Sequence, residues 1–441
     1  MKSALSTFHF QHSTTSWRWW VCGAMFLATL LNYMDRQALS QTATDLKEHY
    51  AIGDARYGIV EGSFSIAFAV GSIVFGFIAD RFGPRLVYPV VLLGWSVAGL
   101  ITPLISDPNV TDHFVVSDDP TSGPYHWLLL CRTMLGLFEA GHWPCALITA
   151  RQILTAKDRP LGNGILQSGA SVGAVLIPPY VMVLRHLGYG WEVVFWTIGA
   201  IGLLWVPIWL LLVRPGNLEN KATLEKEAED EVHVPPVPPA PFDWLMFLRM
   251  YITLFVVIVG LATSWQVLRA WIPKYLKESQ GFSADVTDGI VAGYYITAGL
   301  GCMLSGFPVR WLVSRGMAIH SARLVGFAAF TAITLSAAMV PVVGGGWIGV
   351  CLLTLSATGI ICLHPYYYSF TQELPTKHMG FLSGFLAAAG WGVVGFVQKE
   401  LGAHIEATKS YDAGFVLVGV APLFGLFTLL TLWKPLKVPP G

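Results

Sequence analysis

Charged residues are scarce in this chain: Asp, Glu, Lys and Arg make up 12% of its 441 residues, whereas 54% of the residues are hydrophobic. A soluble domain carries roughly 25% charged residues, because its surface must face water. The composition therefore excludes an ordinary soluble protein. Apolar windows of about twenty residues recur along the chain, and each is long enough to cross a hydrocarbon core of about 30 Å. The sequence predicts a polytopic membrane protein.

Features of several other protein classes are also missing. The net charge is zero and no basic run suggests nucleic-acid binding. The six cysteines fall mostly within apolar windows without paired spacing, so we interpret them as packing residues rather than disulfide partners or metal ligands. No HExxH motif occurs, and we expect no enzyme, no metal and no cofactor. The first apolar run has no small-residue cleavage pattern, so we expect no removable signal peptide.

A polar segment divides twelve predicted spans into two sets of six. This segment, residues 214–245, is first acidic and then proline-rich, which is typical of a solvated cytoplasmic linker. It separates an amino-terminal half, residues 1–213, from a carboxy-terminal half, residues 246–441. The predicted spans are 18–43, 56–78, 84–105, 127–150, 161–184, 192–213, 246–276, 287–309, 322–342, 347–370, 380–398 and 412–433.

The distribution of basic residues predicts the orientation of these spans. With the amino terminus inside, seventeen of the 27 Lys and Arg residues fall in cytoplasmic segments and seven in outside loops. Cytoplasmic loops carry an excess of Lys and Arg in membrane proteins. Both termini are therefore predicted to be cytoplasmic.

A short internal repeat supports the division into halves. LKEHYAIGDARYGIVEG at 46–62 resembles LKESQGFSADVTDGIVAG at 276–293, and each copy joins the first and second spans of its half. Repeats of this kind build transporters whose binding site lies between the halves near the middle of the membrane. In such transporters one half rocks against the other to give alternating access.

A motif follows the second span. GFIADRFGPR at 76–85 matches the pattern G-x-x-x-D-R-x-G-x-R, which is the signature loop of the major facilitator superfamily. Together with the span count and the repeat, it makes the chain resemble that superfamily. The resemblance implies an all-α membrane fold of twelve helices in two pseudo-symmetric six-helix halves.

The residues of this motif suggest a gate on the cytoplasmic side. Gly76 is expected to permit close helix approach and Gly83 a tight turn, while Asp80 is expected to cap a helix and to pair where the cytoplasmic ends meet. Arg81 and Arg85 follow the positive-inside rule. The counterpart in the second half, GFPVRWLVSRG at 306–316, lacks the Asp-Arg pair.

Three further motifs resemble the anion:cation symporters of this superfamily, especially bacterial sugar-acid transporters: NYMDR at 32–36, EAGHWP at 139–144 and QSGASVGAVLIPP at 167–179. The resemblance implies that Arg36 binds a substrate carboxylate and that Asp35 and Glu139 carry the coupling proton. It also implies a monomer in the bacterial inner membrane that imports a hexuronate or an aldonate.

The same charges can be considered without the family. Asp35, Arg36, Arg132 and Glu139 would together cost roughly 10 kcal/mol in mid-membrane if unpaired. Asp35 and Arg36 are adjacent on a helix and do not face each other, whereas Arg132 and Glu139 are seven residues apart on one face. Two interpretations remain open: a salt-bridge lattice that only orders the bundle, or a site in which an arriving anion takes over the arginine and the carboxylates bind protons.

Other polar and aromatic residues are candidates for a supporting role. Gln266 occupies the repeat position of Arg36, and this neutral amide favours a singly charged polyol acid. Arg269 is either a second anion-binding arginine, suited to a phosphate, or an arginine that snorkels to the outer surface. The candidates to contact the sugar are Tyr33, Gln167, Trp391 and Tyr366, the last from HPYYYS at 364–369, and the alternative for each is packing. We expect His142 to be a satisfied core residue and Glu61 to be interfacial.

Two rival functions share the predicted fold. The first is exchange of organic phosphates or other organic anions without protons. The second is a non-transporting sensor, which would need an added soluble domain that the short linker and tail do not offer.

Overall fold

The structure is a computed structural model that describes residues 14–116, 119, 121–154, 159–218, 244–371 and 379–433. Within these ranges the regular secondary structure is helical and includes no strand. The predicted all-α class is therefore confirmed. Most of the predicted linker lies outside the described residues.

The described helices follow the predicted spans closely. We call α1 to α7 the amino-terminal half and α8 to α14 the carboxy-terminal half. The first half contains α1 (Thr14–Tyr50), α2 (Asp54–Phe82), α3 (Pro84–Ile101), α4 (Ser122–Glu139), α5 (His142–Ile153), α6 (Arg159–His186) and α7 (Glu192–Leu212). The second contains α8 (Trp244–Lys274), α9 (Ala284–Leu304), α10 (Phe307–Ser314), α11 (Ile319–Thr334), α12 (Gly346–Thr371), α13 (Met379–Thr408) and α14 (Asp412–Thr431). A π-helical turn, Tyr275–Ser279, extends α8.

Nine helical segments among the described residues are long and apolar enough to cross a membrane. The predicted spans outside this set are those on α1, on the α4–α5 pair and on α13. α1 carries Asp35 and Arg36, and the α4–α5 pair carries Arg132 and Glu139. A polytopic membrane protein is thus confirmed, while the count of twelve spans stays a prediction.

Within the described residues, one apolar cluster joins the two halves at one end of the molecule. One cluster of buried side chains combines residues of both halves, including Leu39 and Tyr57 from the first and Trp271 and Tyr411 from the second. Two further clusters consist of buried residues from one half each. The joined end contains the loops after α1 and α8, which the basic-residue distribution predicts to be outside. The halves are therefore packed together at the predicted outer end.

Two helices from opposite halves, α2 and α13, meet at glycines. A Cβ atom at Gly58 would lie 2.8 Å from the Cα of Gly402, and one at Gly62 would lie 2.6 Å from the carbonyl oxygen of Gly395. Only glycine permits this separation, because any side chain would collide with the opposing backbone. Backbone therefore packs directly on backbone along this contact.

The two copies of the sequence repeat contribute to a ring of four alternating charges that joins the halves. Lys47 Nζ lies 3.2 Å from Asp54 Oδ2 and 2.6 Å from Glu278 Oε2. Lys274 Nζ lies 2.9 Å from Asp54 Oδ1 and 3.2 Å from Glu278 Oε1. Lys274 is fully buried, so its charge depends on these two carboxylates. A second ionic contact between the halves joins Arg185 to Asp285 and Asp288 at the same end.

The motif at 76–85 differs from its predicted geometry in two respects. Gly83 does form a turn, with φ of +76°, but a Cβ atom at Gly76 would meet nothing within 4 Å. The expected close helix approach at Gly76 is therefore wrong for this structure. Asp80 is exposed, and α3 begins at Pro84 without a side-chain cap, so the expected cap is wrong as well.

The arginines of this motif lie apart from the other half. Arg85 Nε donates to the carbonyl oxygen of Val213, 3.1 Å away, and the Arg81 guanidinium lies over the ring of Phe82. Both contacts stay within the amino-terminal half. Among the described residues, the contacts of these two arginines therefore do not join the halves.

The charge ring predicts how the outer end responds to a neutral substitution. Asp54→Asn removes a carboxylate that two lysines share, so the outer ends should separate more often. Spin labels at positions 48 and 409, which are exposed on opposite halves, should show a larger population of long distances in double electron–electron resonance. The labels require a background in which the native cysteines are replaced.

Arg56→Gln is the matched control for this experiment. Arg56 pairs with Asp119 inside the first half, so its loss should leave the distances unchanged. Equal distance distributions in Asp54→Asn and in the unsubstituted background would show that the ring does not hold the halves together.

Candidate functional site

The fourth predicted span is interrupted shortly before its proline, Pro144. α4 ends at Glu139 and α5 begins at His142. Pro144 has no backbone N–H, and its ring would collide with the carbonyl group of Ala140 in a continuous helix. The predicted span over 127–150 therefore consists of two helices. The break leaves Glu139 in the last turn of α4.

Glu139 forms a buried ion pair with Arg36 of α1. Arg36 Nε donates to Glu139 Oε2 over 2.6 Å, and the two side chains are 3% and 0% exposed. Each partner keeps one buried polar atom without a hydrogen bond, Nη2 of Arg36 and Oε1 of Glu139. The pair is therefore neutral as a whole but has unused hydrogen-bonding capacity on both sides.

Four aromatic rings surround the Arg36 guanidinium. Its Cζ atom lies 5.0 Å from the ring centroid of Tyr33, 5.7 Å from Phe64, 4.7 Å from Phe68 and 5.4 Å from Trp391. Cations over aromatic faces at these distances are stabilised by the ring quadrupole. Trp391 belongs to α13, so both halves contribute to the environment of Arg36.

Asp35 points away from Arg36, as adjacent positions on a helix require. It is 2% exposed, and its Oδ1 atom has no hydrogen-bond partner. A Cβ atom placed on Gly99 of α3 would lie 3.3 Å from this oxygen. Asp35 is thus a buried carboxyl group that faces α3 inside the amino-terminal half.

Glu61 and Arg269 occupy positions that the sequence did not predict. Glu61 is fully buried, with Oε1 3.3 Å from Arg132 Nη2 and with Oε2 in contact with Arg269 Nη2. The expectation of an interfacial Glu61 is wrong, because it lies two turns inside α2. The snorkelling interpretation of Arg269 is also wrong, since its side chain is 3% exposed.

This carboxylate connects the two halves of the protein. Arg132 belongs to the first half and Arg269 to the second. Arg269 also donates from Nε to Gln266 Oε1 over 2.6 Å and from Nη1 to the carbonyl oxygen of Arg36 over 3.1 Å. Gln266 therefore orients Arg269 directly beside α1.

His142 has partners for both ring nitrogens. Nε2 lies 3.0 Å from Thr29 Oγ1, and Nδ1 lies 2.9 Å from the hydroxyl oxygen of Tyr88. This geometry agrees with the expectation of a satisfied core histidine.

The structure separates the residues expected to contact a sugar. The rings of Tyr33 and Trp391 lie beside the Arg36 guanidinium. Gln167 is exposed on α6, and within the described residues it makes no hydrogen bond to the buried charges. Tyr366 donates its hydroxyl to the carbonyl oxygen of Ser305, 2.8 Å away, inside the second half. Its expected place at the sugar site is therefore wrong for this structure.

One sequence pattern needs a structural explanation. GASVG at 169–173 matches G-x-S-x-G, the nucleophile pattern of many serine hydrolases. Here it lies in the middle of α6, where Cβ atoms at Gly169 and Gly173 would collide with the backbone of α1. The glycines allow two helices to pack closely, and the strand–turn–helix that a nucleophile elbow needs is not formed.

Buried charges of both signs between two sets of membrane-spanning helices define a membrane transporter rather than an enzyme. The chain belongs to the Major Facilitator Superfamily, because the sequence profile of that family matches residues 25–398. The family predicted from the motif at 76–85 is thereby confirmed.

Individual relatives and structures agree with this assignment. The chain is 26% identical to a probable sulfoacetate transporter of Cupriavidus necator, over 94% of this chain and 95% of that protein. It is 23% identical to the hexuronate transporter of Escherichia coli, over 96% of this chain and 95% of that protein. The crystal structure of a D-xylose-proton symporter has the same fold, with a TM-score of 0.71 and 14% identity over 94% of this chain and 97% of that one.

The shared carboxylate predicts a large stability effect. Glu61→Ala leaves Arg132 and Arg269 without their common counter-ion, and breaking a buried ion pair costs about 3–5 kcal/mol. The purified variant should unfold at a clearly lower temperature than the unsubstituted protein. Glu400→Ala, which removes an exposed glutamate of α13, is the control and should leave the unfolding temperature nearly unchanged. Equal unfolding temperatures in the two variants would contradict a structural need for Glu61.

Proposed function

We propose that this protein is a secondary active transporter that imports an anionic sugar acid, of the hexuronate or aldonate class, together with protons by alternating access. The observation that carries the proposal is the Arg36–Glu139 pair, which is buried, keeps unused polar atoms and is enclosed by aromatic rings of both halves. The names of the relatives, a sulfoacetate and a hexuronate transporter, support an organic acid as the substrate.

Arg36 is the anchor for the substrate carboxylate in this proposal. A guanidinium group presents a planar fork of donors that matches a carboxylate. Nε is already engaged with Glu139, while Nη2 has no partner. An entering carboxylate therefore binds at Nη2 and competes with Glu139 for the same cation. Tyr33 and Trp391 supply ring faces, and in the case of Tyr33 a hydroxyl group, beside the anchor.

The competition at Arg36 couples the anion to protons. When the substrate takes over Arg36, Glu139 loses its cation and gains a second negative neighbour in a poorly hydrated site. A carboxylate in that position is costly, and a proton removes the cost. Asp35, buried with an unpartnered oxygen, is the second carboxyl group that can hold a proton. Anion and proton then promote each other's binding, as a symporter requires.

Movement of the halves completes the cycle. The charge ring and the shared apolar cluster close the predicted outer end, and the remaining core clusters are separate at the other end. This arrangement supports a state that is accessible from the predicted cytoplasmic side. Opening to the outside requires the ion pairs of the charge ring that join the halves to break. It also requires α2 and α13 to tilt against each other.

Exchange of organic phosphates or other organic anions is the second candidate, and the position of Arg269 favours it. A second arginine lies within the central charge cluster rather than at the surface. Two arginines can hold one multiply charged group. Proton dependence of transport separates this candidate from symport.

Uptake into liposomes tests the proposed function. Purified protein in liposomes should accumulate a hexuronate, such as galacturonate, when the outside is made acidic, because protons moving inward drive the anion with them. Radiolabelled uptake with and without a pH gradient measures this. Accumulation that does not depend on the pH gradient but requires an organic phosphate preloaded inside the liposomes would show that the protein works by exchange and not by symport.

Glu139→Gln separates coupling from binding. The amide imitates a permanently protonated carboxyl group, so the variant should bind substrate and support counterflow, which needs no net proton movement. Uphill uptake driven by the pH gradient should be lost. Glu400→Gln, at an exposed position, is the matched control and should retain both activities. Parallel loss of thermal stability, binding, counterflow and uptake would instead make Glu139 a structural counter-ion of Arg36.

A further inference from the structure

His142 is the first residue of α5, directly after the two residues 140–141 that interrupt the predicted fourth span. We call these two residues the helix break. Pro144 has no backbone N–H, so the carbonyl group of Ala140 lacks the donor that a continuous helix would supply. The position of Glu139, just before the break, relative to α5 is therefore not fixed by a continuous helix. Contacts with neighbouring helices take over this role, and those of the His142 side chain are fully buried.

The hydroxyl group of Thr29 determines which ring nitrogen of His142 holds a proton. Thr29 Oγ1 donates its only hydrogen to the carbonyl oxygen of Met25, 2.9 Å away. It can therefore only accept in its 3.0 Å contact with His142 Nε2, so Nε2 is protonated. The other ring nitrogen, Nδ1, lies 2.9 Å from the hydroxyl oxygen of Tyr88.

The His142 ring is neutral in this arrangement. A charged ring would be a buried cation, and the Glu139 carboxylate three residues away is already paired with Arg36. In the neutral ring with a proton on Nε2, Nδ1 is an acceptor, and the hydroxyl group of Tyr88 donates to it. His142 thus donates to α1 and accepts from α3.

The hydrogen bonds of His142 do not continue to a proton pathway among the described residues. The hydrogen of the Thr29 hydroxyl group is used by a backbone carbonyl oxygen. Tyr88 is fully buried, and the ring centroids of Trp205 and Trp209 lie 5.0 Å and 4.9 Å from its own. Both indole N–H groups donate to backbone carbonyl oxygens. His142 is therefore a fixed donor and acceptor rather than a proton carrier.

α1 contacts the residues on either side of the helix break at two points. Thr29 and Arg36 are seven residues apart, which places them two turns apart on one face of α1. Arg36 pairs with Glu139, and Thr29 accepts from His142. In the proposed cycle the first contact opens when a substrate anion binds Arg36. The second contact is uncharged, so the anion does not compete for it, and it persists while the first is open.

We propose that His142 is a positioning residue for proton coupling, because its hydrogen bond to Thr29 holds the helix break against α1 while the Arg36–Glu139 pair is open. This inference rests on the proposed function and adds a residue to it. With the contact in place, Glu139 returns to Arg36 when the substrate leaves. Without it, Glu139 can turn away from Arg36, and its proton is then no longer linked to the anion that Arg36 binds.

Thr29→Val tests this role, since it replaces the hydroxyl group by a methyl group of similar shape. The variant should lower the ratio of uptake driven by a pH gradient to counterflow by about fivefold, as the loss of one buried hydrogen bond allows. Both activities are measured with radiolabelled galacturonate on one preparation in liposomes.

Thr42→Val is the matched control for Thr29→Val. Thr42 is also fully buried on α1, and its hydroxyl group donates to the carbonyl oxygen four residues earlier, that of Ala38, as the hydroxyl group of Thr29 does to Met25. The printed hydrogen bonds of Thr42 stay within α1. This control should therefore keep the ratio of the unsubstituted protein.

The assignment of the ring proton provides a second pair of variants. In His142→Gln the side-chain amide reaches the former position of Nε2 and keeps a donor for Thr29. In His142→Asn the shorter side chain reaches only the former position of Nδ1. His142→Gln should therefore retain the ratio, whereas His142→Asn should lower it. Unfolding temperatures verify that both variants are folded, and a purely structural histidine would change uptake and counterflow in parallel.

Three results would overturn the inference. These are equal ratios in Thr29→Val and Thr42→Val, a parallel loss of uptake and counterflow in Thr29→Val, or a ratio in His142→Asn that equals or exceeds that in His142→Gln. If one of them occurs while the unsubstituted protein takes up galacturonate with protons, the proposed function stands and only the positioning role is wrong. If the unsubstituted protein shows no uptake that depends on the pH gradient, the proposed function is wrong and the positioning role with it.

Discussion

A charge inside a membrane protein is stable only when an opposite charge or a set of donors meets it, and this requirement organises the centre of the present structure. Arg36 on α1 is met by Glu139 on α4, while Glu61 on α2 meets Arg132 on α4 and Arg269 on α8. Each pair joins helices that are distant in the sequence. The positions of these helices relative to one another therefore depend on the pairing of buried charges as well as on apolar packing.

The same pairs serve stability and the proposed transport cycle. The sequence left open whether the buried charges form a lattice that orders the bundle or a site that exchanges partners. The geometry makes these alternatives compatible, because a pair that stabilises one state is also a pair that a substrate anion can compete for. Glu139 holds Arg36 in this structure, and in the proposed cycle it yields this arginine to a substrate carboxylate.

Much of the fold and part of the site were predictable from the sequence. Long apolar windows predicted the helices, and the NYMDR and EAGHWP motifs identified Arg36 and Glu139 because charges are rare in such windows. The failures have physical reasons. Glu61 lies seven residues after the start of α2, about 10 Å along the helix, whereas its place near the start of the predicted span suggests the membrane surface. For Arg269 the sequence left a second anion-binding arginine and a snorkelling arginine open, because an apolar helix does not determine where a long side chain turns.

Tyr366 was misplaced for a different reason. α12 is apolar on nearly all sides, so its sequence does not indicate which face turns toward the other half. The rotation of such a helix about its axis is fixed by packing, here by the contact of Tyr366 with Ser305. The break before Pro144 could not be read from the proline alone, because Pro365 and Pro422 lie inside continuous helices of the same structure.

The glycine contact between α2 and α13 has a consequence for the speed of the proposed transport cycle. Where Gly58 faces Gly402, no side chains interlock. At this contact the two helices can change their angle without changes of side-chain rotamer. Tilting the halves then requires the ion pairs at the outer end to separate, together with the apolar cluster that both halves share there. Ion-pair separation depends on ionic strength and on hydration far more than steric unlocking does. The rate of the proposed cycle should accordingly depend on the ionic strength at the outer face, where these ion pairs lie.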